Sequence, residues 1–239
     1  MTRHHNDIEQ TDHFYPHERT MLFIDGSNFY QASRALGFTI DFNRLRTYFR
    51  QRCGPITRAY YYTALPPAQN NQATKNLADW LSHNGFTVVS KETREFTSQK
   101  GDRVLKGNLD VEIAVQAMEL IPYMDHAVLF SGDGDFIELI HALQRKGVRV
   151  TVVSTKETPT PIASNDLRKT ADGYIDIANI QKMIQSAPMW GIERKETYLA
   201  TQDNVDKVTS HVKIIASAGR QALTNARLRK NARKEPVTA

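Results

Sequence analysis

Short apolar runs that end at carboxylates constrain the fold of this chain most. Residues 21–24 are apolar and are followed by Asp25, and residues 128–130 are followed by a turn that contains Asp133 and Asp135. Apolar runs bounded by turn residues are typical of buried parallel strands, and open α/β sheets bind ligands beyond the carboxyl ends of such strands. The acids are therefore predicted to meet at one edge of a sheet.

The rest of the chain alternates between strand-like and helix-like segments. Strands are predicted at residues 20–25, 59–63, 86–89, 127–131, 148–153 and 174–177, and helices at 28–36, 41–52, 69–83, 109–120, 135–145 and 162–170. Residues 91–107 are polar and turn-rich and are predicted to form a loop. This alternation predicts an α/β fold with a mostly parallel sheet wrapped by helices.

The two ends of the chain differ from this pattern. Residues 1–18 are rich in histidine and acids without periodicity, which predicts a flexible leader. A domain is expected over residues 19–185. Residues 186–239 are interpreted as a linker and a helical extension, because small and β-branched residues recur there at helical spacing between residues 205 and 226.

Composition excludes several classes of protein. The single cysteine, Cys53, rules out an internal disulfide and a cysteine-cluster zinc site. No run approaches the roughly 18 apolar residues of a membrane span, and the first twenty residues lack the apolar segment of a signal peptide. We expect a cytoplasmic protein with no membrane partner.

The positive charge of the chain is concentrated near its end. Residues 181–239 contain eleven lysines and arginines against five acids, whereas the whole chain has a net charge of +5. A basic segment favours an acidic polymer as partner, and nucleic acid fits this role. The small and β-branched residues at helical spacing in the same segment form an apolar stripe. This stripe predicts docking on a second copy, on a protein partner or on the domain itself.

Each acid also has an ordinary structural explanation. Asp135 and Glu138 have the spacing of a helix capping box, and Asp110 is favoured at a helix N-terminus by the macrodipole. Asp25 has no such explanation, since it directly follows an apolar strand. Gathered at one edge, Asp25, Asp110, Asp133 and Asp135 would repel one another unless a divalent cation neutralised them.

Other phosphate and metal motifs fail at required positions. A dinucleotide fingerprint needs a glycine where Ile137 stands, and a calcium-binding loop starting at Asp133 needs glutamate where Gln144 stands. The sequence contains no Walker loop and no nucleophile elbow. Dinucleotide binding, calcium signalling, acyl transfer and ATP-driven chemistry are not supported.

Four segments together resemble a known family. They are the strand with residues 25–28, residues 106–110 opening a helix, residues 131–136, and residues 167–177. In this order they resemble the LabA-like branch of the NYN domain, a member of the PIN-like nuclease superfamily. The resemblance covers roughly residues 19–180 and leaves the chain beyond residue 185 outside it.

The resemblance implies a Rossmann-like three-layer α/β/α sandwich with a metal-dependent ribonuclease site. Asp25, Asp110, Asp133 and Asp135 would form that site with Mg²⁺ or Mn²⁺, and Asn28 and Ser131 would support it. Hard divalent cations prefer oxygen ligands, which suits a ring of aspartates. We expect Asp25 and Asp133 to be the central ligands.

Substrate contacts are predicted beside this ring. Asn28 is expected to contact phosphate or water and Lys106 to neutralise a phosphate, while Arg103 belongs to a basic segment with Phe96 that suits single-stranded RNA. The leading hypothesis is a ribonuclease. The alternative is a non-catalytic regulatory protein that binds RNA or protein, and the metal chemistry alone does not exclude a DNA-directed nuclease.

Overall fold

A computed structural model describes residues 14–65, 72–97, 103–106 and 108–186, and for 94–97 and 103–106 it describes the backbone only. Two compact units emerge: a large sheet domain and a smaller unit that includes a hairpin within residues 93–106. The linker and basic helix predicted for residues 186–239 lie outside the described residues, Ser186 excepted.

The sheet domain is built on six parallel strands. In chain order, the strands of the described residues are β1 (Thr20–Asp25), β2 (Ile56–Leu65), β3 (Thr87–Glu92), β4 (Arg94–Thr97), β5 (Arg103–Lys106), β6 (His126–Phe130), β7 (Arg149–Ser154) and β8 (Gly173–Asp176). The large sheet has the order β3-β2-β1-β6-β7-β8, with every pairing parallel.

Helices cover both faces of this sheet. They are α1 (Gly26–Ala35), α2 (Phe42–Cys53), α3 (Gln72–His83), α4 (Asp110–Glu119), α5 (Ile137–Gln144), α6 (Asn165–Thr170) and α7 (Ile177–Ile184). Buried residues of α1, α2, α3 and α7 join one hydrophobic cluster, and those of α4, α5 and α6 join another. The predicted three-layer α/β/α architecture with a parallel sheet is confirmed.

The burial of the central strand, β1, explains why its sequence is a continuous apolar run. All six residues of β1 are buried. Leu22 and Ile24 pack into the cluster on one face, whereas Met21 and Phe23 pack into the cluster on the other. A strand covered on both faces has no polar side to alternate with, so its hydrophobicity is uninterrupted.

The strand order reverses at the centre of the sheet. From β1 the chain moves outward through β2 and β3 on one side, and it then returns to place β6 on the other side of β1. Such a switch point leaves a crevice outside the carboxyl ends of the two central strands. Asp25 ends β1 and Asp133 follows β6, so both lie at this crevice.

Three features differ from the sequence prediction. The segment expected as a loop at residues 91–107 contains an antiparallel hairpin of β4 and β5. The chain also forms α7 beyond the last predicted strand, where Ile177, Ile180 and Ile184 supply a buried face too short to be distinguished by periodicity. Phe14, within the expected leader, is buried against Phe49.

Within the described ranges, no helix combines the length and apolarity that crossing a membrane requires.

Candidate metal centre

Three of the four predicted acids come together. Asp110, Asp133 and Asp135 each offer one carboxylate oxygen, and these three oxygens lie within 4.8 Å of one another. Asp110 is the first residue of α4, while Asp133 and Asp135 lie in the turn after β6. The fold therefore joins a helix start to a strand end at the crevice, as the sequence predicts.

Asp25 lies outside this group of three and is held by hydrogen bonds. Its Oδ1 accepts from the hydroxyl of Ser27 at 2.8 Å and from the backbone N–H of Asn28 at 3.2 Å, and its Oδ2 accepts from the hydroxyl of Ser131 at 3.2 Å. The residue is 9% exposed. Burial raises the pKa of its carboxyl, the three hydrogen bonds lower it, and the charge of Asp133 raises it.

Two side chains tie the turn after β1 to the turn after β6. The Oδ1 of Asn28 accepts from the backbone N–H of Gly132 at 2.9 Å. The hydroxyl of Ser131 donates to Asp25 and accepts from the backbone N–H of Asp133 at 3.3 Å. The position of Asp133 thus depends on contacts made from the end of β1.

Gly132 is closely enclosed in the same turn. A Cβ at this position would lie 2.5 Å from the carbonyl oxygen of Ile162 and 2.5 Å from the hydroxyl of Ser154. The backbone N–H of Ser164 also donates to the carbonyl of Gly132 at 3.0 Å. The loop after β7 therefore packs directly on the turn that carries Asp133, and only glycine fits there.

Asp110 is oriented by its neighbour in sequence. The side chain of Asn108 donates from Nδ2 to Oδ2 of Asp110, and its Oδ1 accepts from the backbone N–H of Asp110 at 2.9 Å. Burial raises the pKa of the Asp110 carboxyl to about 6; the bond from Asn108 lowers it, and the charges of Asp25, Asp133 and Asp135 raise it further.

The ordinary explanation for one of these acids, Asp135, does not hold. Helix α5 has Phe136 at its N-cap without a side-chain cap, so the predicted capping box of Asp135 and Glu138 is wrong. Asp133 instead caps a short 3-10 turn by accepting from the backbone N–H of Asp135 at 3.0 Å. Asp135 lies within this turn and does not cap α5.

The donor set fits a hard divalent cation. All three grouped side chains offer carboxylate oxygens, and burial, together with the charges of the neighbouring aspartates, raises the pKa of the Asp110 carboxyl. Lys91, a basic side chain on β3, lies in an ion pair with Glu112. Mg²⁺ and Mn²⁺ prefer such oxygen ligands.

Two of the predicted substrate contacts are not tested. Lys106 and Arg103 lie on β5, whose side chains are outside the description, so their phosphate contacts stay predictions. Sequence reasoning missed the roles of Asn108 and Ser27 in orienting Asp110 and Asp25. A polar residue within two positions of each acid was the available signal.

A parallel α/β/α domain with clustered aspartates at its switch point is the kind of protein that the fold and the site define. The chain belongs to the NYN domain family, whose family model matches residues 19–180. Within that family it is LabA-like. It is 34% identical over 185 residues to the low amplitude and bright protein LabA of Synechococcus elongatus, an alignment that covers 76% of this chain and 93% of LabA.

Two further proteins are similar over the same region. An uncharacterised protein of Methanocaldococcus jannaschii is 27% identical over 161 residues, which cover 66% of this chain and 55% of that protein. A crystal structure of a Vibrio parahaemolyticus protein of unknown function superimposes with a TM-score of 0.54 at 26% identity, covering 68% of this chain and 95% of that one. The structural match supports the fold described for this chain.

Proposed function

We propose that this protein is a metal-dependent ribonuclease of the cytoplasm that hydrolyses phosphodiester bonds of RNA at the aspartate cluster. One observation carries the proposal: carboxylate oxygens of Asp110, Asp133 and Asp135 lie within 4.8 Å of one another at the switch point of an NYN domain. A scaffold alone has no physical need for clustered carboxylates, because they repel one another.

Asp110, Asp133 and Asp135 would hold the cation, and Asp25 would complete the set. The carboxylate of Asp25 accepts three hydrogen bonds, and an ionised carboxylate has about four acceptor positions, so one position remains for a ligand. A bound Mg²⁺ or Mn²⁺ would lower the pKa of an attacking water and neutralise charge on the scissile phosphate.

Other residues of the chain would orient these carboxylates. Asn108 fixes the Asp110 side chain, and Asn28 and Ser131 fix the backbone that carries Asp133. Residues that orient metal ligands typically contribute about 10- to 100-fold to metal affinity or activity. We therefore assign Asn28 and Ser131 as positioning residues of the site.

The test is a cleavage assay on labelled single-stranded RNA and on DNA of the same sequence, with Mn²⁺, with Mg²⁺ and with EDTA. The variants are Asp133→Asn and Asp110→Asn, which remove charge at constant shape. The matched control is Asp166→Asn, an exposed acid in the first turn of α6. We expect metal-dependent RNA cleavage that both site variants lose and the control retains.

Other outcomes would change the assignment. Cleavage of DNA in preference to RNA would replace the ribonuclease by a DNA-directed enzyme with the same site. RNA binding without cleavage in either metal, unaffected by the site variants, would contradict the proposal and favour a regulatory protein that acts by binding.

A further inference from the structure

The helices on the two faces of the sheet differ in charge. Within their helical residues, α1, α2, α3 and α7 carry seven basic side chains and one acid, whereas α4, α5 and α6 carry five acids and two basic side chains. The first group packs on one face of the sheet and the second on the other. One broad surface of the domain is therefore strongly positive.

Most of this charge belongs to α2. Its twelve residues include Arg44, Arg46, Arg50 and Arg52 and no acid. The acid at its N-cap, Asp41, accepts from the backbone N–H groups of Asn43 and Arg44 and lies 3.8 Å from the Arg44 guanidinium. Four arginines outnumber this one acid, so α2 with its N-cap remains positively charged.

A shallow groove lies between α2 and α7 on this surface. It is lined by Asn43, Arg44, Thr47, Gln51, Arg52 and Met183. The polar members can donate hydrogen bonds to phosphate oxygens, and the exposed Met183 offers an apolar contact for a base. Lys182, also exposed, adds a cation beside Met183 on α7.

Two arginines of the groove are already positioned. The Arg52 guanidinium lies 3.7 Å over the ring of the buried Tyr48. Arg44 donates from Nη1 to the carbonyl of Gln185 at 3.2 Å. A guanidinium that is held in place loses little freedom when it binds an anion.

Aromatic contacts connect the first turn of α2 to the end of β1. Phe42, the first residue of α2, packs edge-on against Tyr61 with ring centroids 5.4 Å apart. The hydroxyl end of the Tyr61 ring lies 2.7 Å from the position of a Cβ on Gly26, the residue after Asp25. One aromatic ring thus separates the first turn of α2 from the end of β1.

We infer that the α2–α7 surface, defined by Arg44, Arg52, Lys182 and the groove between them, binds the phosphate backbone of single-stranded RNA. The inference rests on the proposed function for its choice of ligand, and on charge complementarity for its location. The surface would hold the strand while the aspartates act on it. A polyanion matches the net positive charge that the helices carry on this face.

The test measures affinity of the full chain for a labelled single-stranded RNA by fluorescence anisotropy in EDTA, at several salt concentrations. The variant is the triple change Arg44→Gln, Arg52→Gln and Lys182→Gln. The matched control removes the same charge through Arg145→Gln, Lys146→Gln and Lys169→Gln, three exposed cations at α5 and α6. Circular dichroism checks that both triple variants fold.

We expect the first variant to bind at least tenfold more weakly at low salt. Its slope of log affinity against log salt should fall by about 2, because each single-strand phosphate contact contributes about 0.7. The control should change both quantities much less. A gain-of-charge variant, Gln51→Arg, should bind more tightly and steepen the slope by about 0.7.

Equal losses in the two triple variants, or no binding by the wild type, would overturn the inference. An unchanged affinity in the Gln51→Arg protein together with an unchanged slope in the first triple variant would also overturn it. If the wild type binds through this surface but never cleaves RNA, the inference stands and the nuclease fails. If it cleaves RNA with the first triple variant unaffected, the nuclease stands and this surface fails.

Discussion

The side chain of Asn28 accepts a hydrogen bond from the backbone N–H of Gly132 across the central pair of strands, at 2.9 Å. These two residues are 104 positions apart in the chain. The bond joins the turn that ends β1 to the turn that carries Asp133, so one amide side chain aligns two parts of the candidate metal centre.

Replacing Asn28 by alanine should therefore weaken both the fold and the site. The half-buried N–H of Gly132 would lose its partner, which costs about 1–3 kcal/mol. Chemical unfolding measures the loss, and the melting-temperature shift on adding Mn²⁺ should shrink because Asp133 is no longer held. Asn179→Ala, an exposed change on α7, should leave both measurements nearly unchanged. Equal effects at the two positions would contradict this role.

Two glycines of one turn should respond differently to alanine. Gly132→Ala places a Cβ 2.5 Å from the carbonyl oxygen of Ile162, a backbone atom that cannot rotate away. Gly134→Ala meets its nearest atom, the hydroxyl of Ser164, at 3.4 Å. We expect Gly132→Ala to destabilise the protein by about 2 kcal/mol or more and Gly134→Ala by less than about 1 kcal/mol, measured by urea unfolding. Similar costs would show that the loop after β7 yields easily.

Asp110→Asn should stabilise the protein when no divalent cation is present and destabilise it, relative to wild type, when one is added. Without divalent cations, the Asp110 carboxyl has a pKa raised to about 6, so its ionised form at pH 7 disfavours the folded state. The neutral variant should then be more stable than wild type, by on the order of 1 kcal/mol after allowance for solvent screening.

Adding Mn²⁺ should reverse this order. A ligand present at 100 times its dissociation constant stabilises the folded state by about 2.7 kcal/mol, and the variant should gain much less because it lacks one carboxylate. Melting curves in EDTA and in Mn²⁺ test both parts of this prediction. A variant that is less stable than wild type in EDTA would contradict the destabilising effect of the half-buried Asp110 charge.

A buried histidine should make the fold sensitive to mild acid. His126 is fully buried, with its Nε2 2.8 Å from the hydroxyl of Thr151, and it faces Glu18, Arg149 and Asp172. Burial and then the Arg149 charge lower its pKa to about 3, and Asp172 opposes them. The unfolded chain therefore takes up a proton near pH 6.5 that the folded chain takes up only near pH 3.

The stability associated with this histidine is present above about pH 6.5 and is lost progressively as the pH falls towards 3. The expected loss between pH 7.5 and pH 5 is about 2 kcal/mol. Urea unfolding at several pH values measures it, and His126→Gln should flatten the dependence over this window. His141→Gln, at a side chain that is 45% exposed, should retain the wild-type dependence. A flattening in both variants would show that His126 is not the group responsible.

Sequence reasoning predicted much of this protein for identifiable physical reasons. The run 20–25 is confirmed as β1 to the residue, because a strand buried on both faces must be apolar along its whole length. It missed the hairpin of β4 and β5, whose strands are four residues long and lack any alternating apolar pattern. It also missed α7, whose eight residues complete only about two turns.

The candidate site was likewise predicted from the sequence only in part. Carboxylates that follow apolar strands indicated Asp25, Asp133 and Asp135, since turn chemistry and strand burial are local properties of the sequence. The alternatives for Asp110 and Asp135 stayed open, because a metal ligand can also occupy the first turn of a helix or the first position of a capping box. The structure excludes the capping box for Asp135, because Phe136 is the N-cap of α5.

By itself, the sequence determined the alternation of strands and helices, the apolar length of each central strand and the identity of the acids that end them. Only the tertiary structure decided that β6 lies beside β1. That pairing brings the hydroxyl of Ser131 to Asp25 and carries Asp133 to the same edge of the sheet, where Asp110 and Asp135 complete the group of three acids. The physical reason is that such contacts join residues about a hundred positions apart, and strand order is set by packing across the whole sheet rather than by any local pattern.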